Sequence, residues 1–140
     1  MLPKLQTALT FCSLLSLIGL GGCLFTADMC GNELLEEVYS PDRVFKAVAF
    51  ERNCGATTGF TTQISILPAE QRSLPNQGGN IFISDRDRGN APAGRGGGPP
   101  VAVVWQGNRN LHITYDLRAR TFLTKTVYDR VNITYKQKAF

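Results

Sequence analysis

From Val44 to Lys136 the chain repeats one pattern: short runs with apolar residues at every second position, separated by glycine, proline and asparagine. A period of two suits half-buried antiparallel strands, whose successive side chains point to opposite faces of a sheet. "TTQISIL" sets Thr62, Ile64 and Ile66 on one face and Gln63 and Ser65 on the other. "LHITYD" sets Leu111, Ile113 and Tyr115 against His112, Thr114 and Asp116. "VFKAVAFER" (44–52) reads as a strand, as does "NIFIS" with Ile81 and Ile83 together, while "VAVVW" (101–105) reads as a more fully buried one. "TFLTKTVY" and "VNITYK" form a closing pair joined through Asp129-Arg130. Short connections make sequence neighbours into sheet neighbours. The expected fold is therefore mainly β: an antiparallel meander of six or seven strands, curled or sandwich-like.

One stretch breaks the pattern. "NELLEEVYSPD" begins with Asn32, a helix-capping residue type, and carries acids that favour the positive end of a helix dipole. It predicts one short N-terminal helix packed by Leu34, Leu35 and Val38, stopped by a turn at Ser40-Pro41-Asp42.

The amino-terminal region has a different logic. No residue between Lys4 and Asp28 is charged, a run long enough to cross a bilayer. Lys4 and the terminal amine, however, form a short positive region, and Ala8 to Leu20 is an apolar core of export-signal length. The run ends in Leu20-Gly21-Gly22-Cys23, which resembles the lipobox of bacterial lipoproteins. That resemblance implies a diacylglyceryl group on the Cys23 thiol and signal cleavage between Gly22 and Cys23. An uncleaved span and ordinary secretion are the alternatives. On the lipoprotein reading, residues 1–22 are signal peptide, 23–30 a lipidated tether, and 31–140 a single small β-rich domain. Several acyl chains hold firmly where one holds marginally. Lys4 stays on the cytoplasmic side, so the domain belongs to the cell envelope, facing periplasm or exterior.

The later part of the chain also resembles short, uncharacterised bacterial lipoproteins, through Ser40-Pro41-Asp42, "AVAFERNCGATTGFTTQISILP" and "GGNIFISD", over about Cys30 to Tyr135. The resemblance implies a shared fold and brings neither an activity nor functional residues. Trp105 followed by "NLHITY" is similar to blades of bacterial β-propellers, but there are strands for under two blades.

Four cysteines are present. Cys12 falls in the signal and Cys23 is assigned to lipid, which leaves Cys30 and Cys54 in a domain where oxidation is the default. A disulfide between them is the expected outcome. Zinc would need more ligands than the single His112 supplies, and a catalytic thiol would need a base that is not identifiable. No metal or cofactor is expected.

A net charge of +4 is too small to argue for nucleic acid. The charge is nonetheless uneven. Residues 23–51 carry six acids against Arg43 and Lys46, and residues 109–140 carry seven bases against Asp116 and Asp129. Either the two ends attract each other within the fold, or the basic end meets an anionic surface.

Two loops are candidates for interaction. "NCGATTGFTT" reads as a hairpin loop fastened by Cys54, whose Thr57, Thr58 and Phe60 form a possible recognition tip. Residues 85–100 read as a flexible loop in which Arg86, Arg88 and Arg95 would select an anionic partner. Asp85 and Asp87 are spaced like the opening of a calcium loop, but the later acidic ligand is missing. A catalyst would have to draw on His112, Asp116 and Arg118, since no Gly-x-Ser-x-Gly elbow is present. The expected function is a non-enzymatic, lipid-anchored envelope protein that binds a partner or supports an assembly. The alternative is an inhibitor or immunity-type lipoprotein that plugs the cleft of a wall-degrading enzyme or toxin with one of the two loops.

Overall fold

The structure is a computed structural model describing residues 29–55 and 58–140. The expected signal, Cys12, the expected cleavage and lipidation site at Gly22-Cys23, and Thr57 lie outside the described residues. Nine strands are present among the described residues: β1 (Gly31–Tyr39), β2 (Phe45–Asn53), β3 (Thr61–Pro68), β4 (Phe82–Asp85), β5 (Val101–Gly107), β6 (Asn110–Asp116), β7 (Arg120–Thr124), β8 (Val127–Tyr128) and β9 (Val131–Lys138). They form one sheet in the order β1-β2-β3-β4-β7 and a second in the order β5-β6-β9-β8.

The mainly β, sandwich-like expectation holds, but the simple meander does not. The chain leaves the first sheet after β4, builds the β5–β6 hairpin in the second, returns as β7 beside β4, and then crosses again. As a result β9 runs parallel to β6, from Asn110 opposite Asn132 to Asp116 opposite Lys138. Parallel neighbours need a long crossover, and residues 117–130 provide it. "TFLTKTVY" is accordingly not one strand. Its first half joins the first sheet as β7, and Val127-Tyr128 pairs with β9 through Asp129 and Arg130. Both turn residues have positive φ, 42° and 63°, as a two-residue primed hairpin turn demands.

The expected helix is strand β1. It pairs antiparallel with β2 from Gly31–Asn53 to Tyr39–Lys46, and a bulge removes Leu35 from the register between Leu34 and Glu36. One extra residue exchanges the faces of a strand, so Asn32, Leu35 and Val38, at intervals of three, are half-buried together with Tyr39 at the strand's end. That interval imitates a helix. The Ser40-Pro41-Asp42 turn is as expected: the Ser40 hydroxyl donates to Asp42 Oδ1 (2.7 Å) and accepts from the Phe45 amide (3.1 Å).

Between the sheets lie Phe45, Ala47, Ala49, Ile64, Ile66, Phe82, Val103, Leu111, Ile113, Tyr115, Val131 and Ile133. The period-two reading of β3 and β6 located their core faces correctly. It failed in β4, where Phe82 and Ser84 are buried and Ile83 is only half-buried. The expectation of a more fully buried β5 fails, because Val103 is buried while Ala102 and Val104 on the opposite face are exposed. The polar face of β3 is buried too. Residues 69–80 fold across it, with the Gly79 amide donating to Gln63 Oε1 (2.6 Å) and the Asn80 amide to the Ser65 hydroxyl (3.1 Å). Val48, Phe50 and Leu67 make a second small apolar cluster on that outer side, closed by Leu74.

Among the described residues of the acidic and basic ends, Asp42 and Arg109 meet. Arg109 Nη1 lies 3.0 Å from Asp42 Oδ2, and the Asp42 amide donates to Asn108 Oδ1 (3.0 Å). This clamps the β1–β2 turn to the β5–β6 turn.

Candidate cleft beneath a glycine strap

Along β2 the inward positions run Phe45, Ala47, Ala49 and then Glu51. The alternation thus brings a carboxylate to the end of the core face. Register places Glu51 opposite Thr62 on β3 and opposite Glu33 on β1. Glu51 is 6% exposed, and Thr62 and Ser84 beside it are buried. The polar end of the inner face is covered by residues 94–100. Thr62 Oγ1 donates to the Pro99 carbonyl (2.7 Å), and the Gly94 amide donates to the Gly98 carbonyl (2.7 Å).

Glycine is required in this strap. A Cβ on Gly98 would stand 2.4 Å from Thr62 Oγ1 and 2.8 Å from the β3 backbone. Gly96 and Gly97 both have positive φ, 90° and 93°, and the Gly97 backbone rests on the Phe60 ring. Residues 85–100, expected as a flexible loop, therefore fold back as a hydrogen-bonded cover. Phe60, expected at a recognition tip, is half exposed and packs under it.

Two openings flank the strap. One, of about 430 Å³, is lined by Leu35, Glu36, Ala49, Thr62, Arg95 and Pro99 among others. The second, of about 350 Å³, is lined by Gly31, Asn32, Glu33, Glu51, Asn53 and Phe60. Burial, and after it the charge of Glu33, push the Glu51 carboxyl above the usual carboxylate range. Sequence reasoning missed Glu51 and Glu33. Extending the β2 alternation one step past Ala49 is the signal that finds Glu51.

Two of the three arginines expected to select an anionic partner are engaged by main-chain carbonyls. Arg86 Nε donates to the Ala91 carbonyl (2.9 Å), Arg95 donates to the Leu35 carbonyl, and Arg88 is exposed with φ 58°. Asp85, considered for calcium, receives Nε and Nη2 of Arg120 instead. Thr58 is exposed, and its hydroxyl donates to the Gly55 carbonyl (3.0 Å). Cys30 and Cys54 are disulfide-bonded, as expected.

Nor does the structure assemble His112, Asp116 and Arg118 into one site. His112 Nδ1 faces Thr134 Oγ1 at 2.8 Å. Asp116 is fully buried and receives Arg118 Nε and Nη2 (both 2.9 Å), the Arg118 amide (2.9 Å) and the Phe140 amide (3.0 Å). Asp116 is thus a clasp for Phe140.

The Arg118 guanidinium, acting against burial and aided by the two amides, holds the Asp116 carboxyl far below its ordinary range. A depressed folded value means stability that is present above the unfolded value of about 4 and lost as pH falls below it. Asp116→Asn is expected to melt several degrees below wild type at neutral pH, with the gap narrowing progressively as pH falls below about 4. Thermal melts of both proteins across that range provide the check.

No family model, curated protein or solved structure matches this chain. Its function is therefore argued from its own residues.

Proposed function

We propose that the chain is an exported, lipid-anchored protein of the bacterial cell envelope whose β-sandwich works as a non-enzymatic binding or structural module. The observation that carries this reading is the Cys30–Cys54 disulfide. Structural disulfides persist on the oxidising side of a membrane and are rare in the cytosol of mesophiles. The bond takes up both cysteines of the folded domain. Cys23, at the end of an apolar leader and within Leu20-Gly21-Gly22-Cys23, is then the cysteine available for a lipid. The binding role is supported by the paired openings beside the glycine strap, where a carboxylate stands at the end of a core face.

Labelling with radioactive palmitate tests the anchor. Wild type is expected to carry label and to partition with membranes, and Cys23→Ala to lose the label completely. Equal labelling of the two proteins, or wild type recovered unlabelled from the cytosol with Met1 intact, overturns the proposal.

A further inference from the structure

We infer that the cleft formed by Glu33, Glu51 and Phe60 receives a positively charged organic group, an ammonium or guanidinium. The inference deepens the binding-module reading and rests on it, but not on the lipid anchor.

Three observations converge. Glu51 is more than nine-tenths buried, yet its side chain lines an opening of about 350 Å³. Among the described residues neither its carboxylate nor that of Glu33 has a hydrogen-bond or ionic partner. The basic groups of the neighbourhood are engaged elsewhere: Lys46 with Glu37 (2.7 Å), Arg52 with Asn32 Oδ1 (2.7 Å) and Arg95 with the Leu35 carbonyl. Second, the β1–β2 register sets Glu33 directly opposite Glu51, so two like charges share one face. Directly opposed like charges destabilise a sheet, and a cation between them turns that repulsion into attraction. Third, the half-exposed Phe60 ring lines the same opening, braced by Gly97. An aromatic face attracts ammonium and guanidinium groups.

The raised carboxyl of Glu51 agrees with this arrangement. In its ionised form it weakens the fold at neutral pH, and a bound cation offsets that effect. A metal ion fits less well. Among the described residues no group of three or more metal-ligating side chains occurs, and a hard cation such as calcium takes six to eight oxygens.

The test is a titration of isotope-labelled full-length protein, held in a non-ionic detergent, followed by amide chemical shifts. The probes, added separately, are N-acetyl-arginine amide, butane-1,4-diamine and calcium chloride. Saturable shifts at Glu51, Gly96 and Gly97 are expected with an organic cation. Response to the arginine derivative alone assigns the ligand to a polypeptide side chain, and response to the diamine alone assigns it to a free polyamine. Glu51→Gln, nearly isosteric, is expected to weaken binding by about tenfold or more. Glu33→Gln, at an exposed position, should weaken it in the same direction, and provides the reading should Glu51→Gln fail to fold. Glu70→Gln, at an exposed position that lines neither opening, should bind as the parent does. The inference is overturned by no saturable shift with either organic probe, by shifts with calcium alone, or by undiminished binding in both cleft variants. None of these outcomes depends on palmitate labelling, so the cleft and the anchor fail separately.

Discussion

Replacing Cys30 and Cys54 together by serine is expected to lower the unfolding free energy by about 3.5 kcal/mol. The bridge joins residues 24 apart in sequence, and closing such a loop removes conformational freedom chiefly from the unfolded chain. In the folded protein it sits where the β1–β2 ladder ends, next to the Gly31–Asn53 pair. Folded contacts beyond the bridge should survive its removal, so the double variant should keep the spectrum of wild type while unfolding at lower urea. Total stabilities of small domains lie at about 5–15 kcal/mol, which makes this loss a large fraction of the whole. Urea titrations of oxidised wild type, reduced wild type and the double serine variant check it, the last two agreeing. A difference under about 1 kcal/mol would mean that the unfolded chain is already held compact near this end.

Phe82→Ala should cost about 4 kcal/mol, in the range of large aromatic truncations in a core. Phe82 is fully buried on β4, and its ring centroid lies 5.4 Å from Tyr115 of β6 and 6.0 Å from Tyr135 of β9. It is therefore a point at which the first sheet meets both central strands of the second. Tyr135 also donates from its hydroxyl to the Lys125 carbonyl (2.7 Å), so a cavity beneath its ring would loosen the crossover after β7 as well. Phe122→Ala, on the exposed part of β7, is the control and should change stability by about 0.5 kcal/mol or less. Equal midpoints for the two variants in urea, read from Trp105 fluorescence, would show that the sheets are not joined principally through Phe82.

Alternation made much of this architecture legible. Leu111, Ile113 and Tyr115, and likewise Thr62, Ile64 and Ile66, lie on the faces their spacing indicates, because a strand's geometry is local. Pairing is not local. Nothing in "VNITYK" says that it will lie parallel to β6, and nothing in "TFLT" says that it will leave that sheet for β4. The β1 bulge misled in a different way, since one additional residue changes an alternating pattern into an interval of three. Chemistry followed the same division. The disulfide was readable from cysteine count and compartment logic, whereas Glu51 meets Glu33 only through register, and the strap covers them only through tertiary packing. The arginines of 86–95 were conspicuous in sequence, yet two of the three donate to main-chain carbonyls.

Strand β1 is an edge of the first sheet, and two of its main-chain oxygens are engaged by side chains from outside that sheet. The Leu35 carbonyl accepts from Arg95, and the Val38 carbonyl accepts from Trp105 Nε1 at 2.8 Å. A continuous row of vacant acceptors is what lets one sheet template another across molecules. Here the edge is broken by the bulge between Leu34 and Glu36. A second copy meeting this side in a crowded solution finds no unbroken ladder to extend, and this flank of the sandwich resists growing into fibrils.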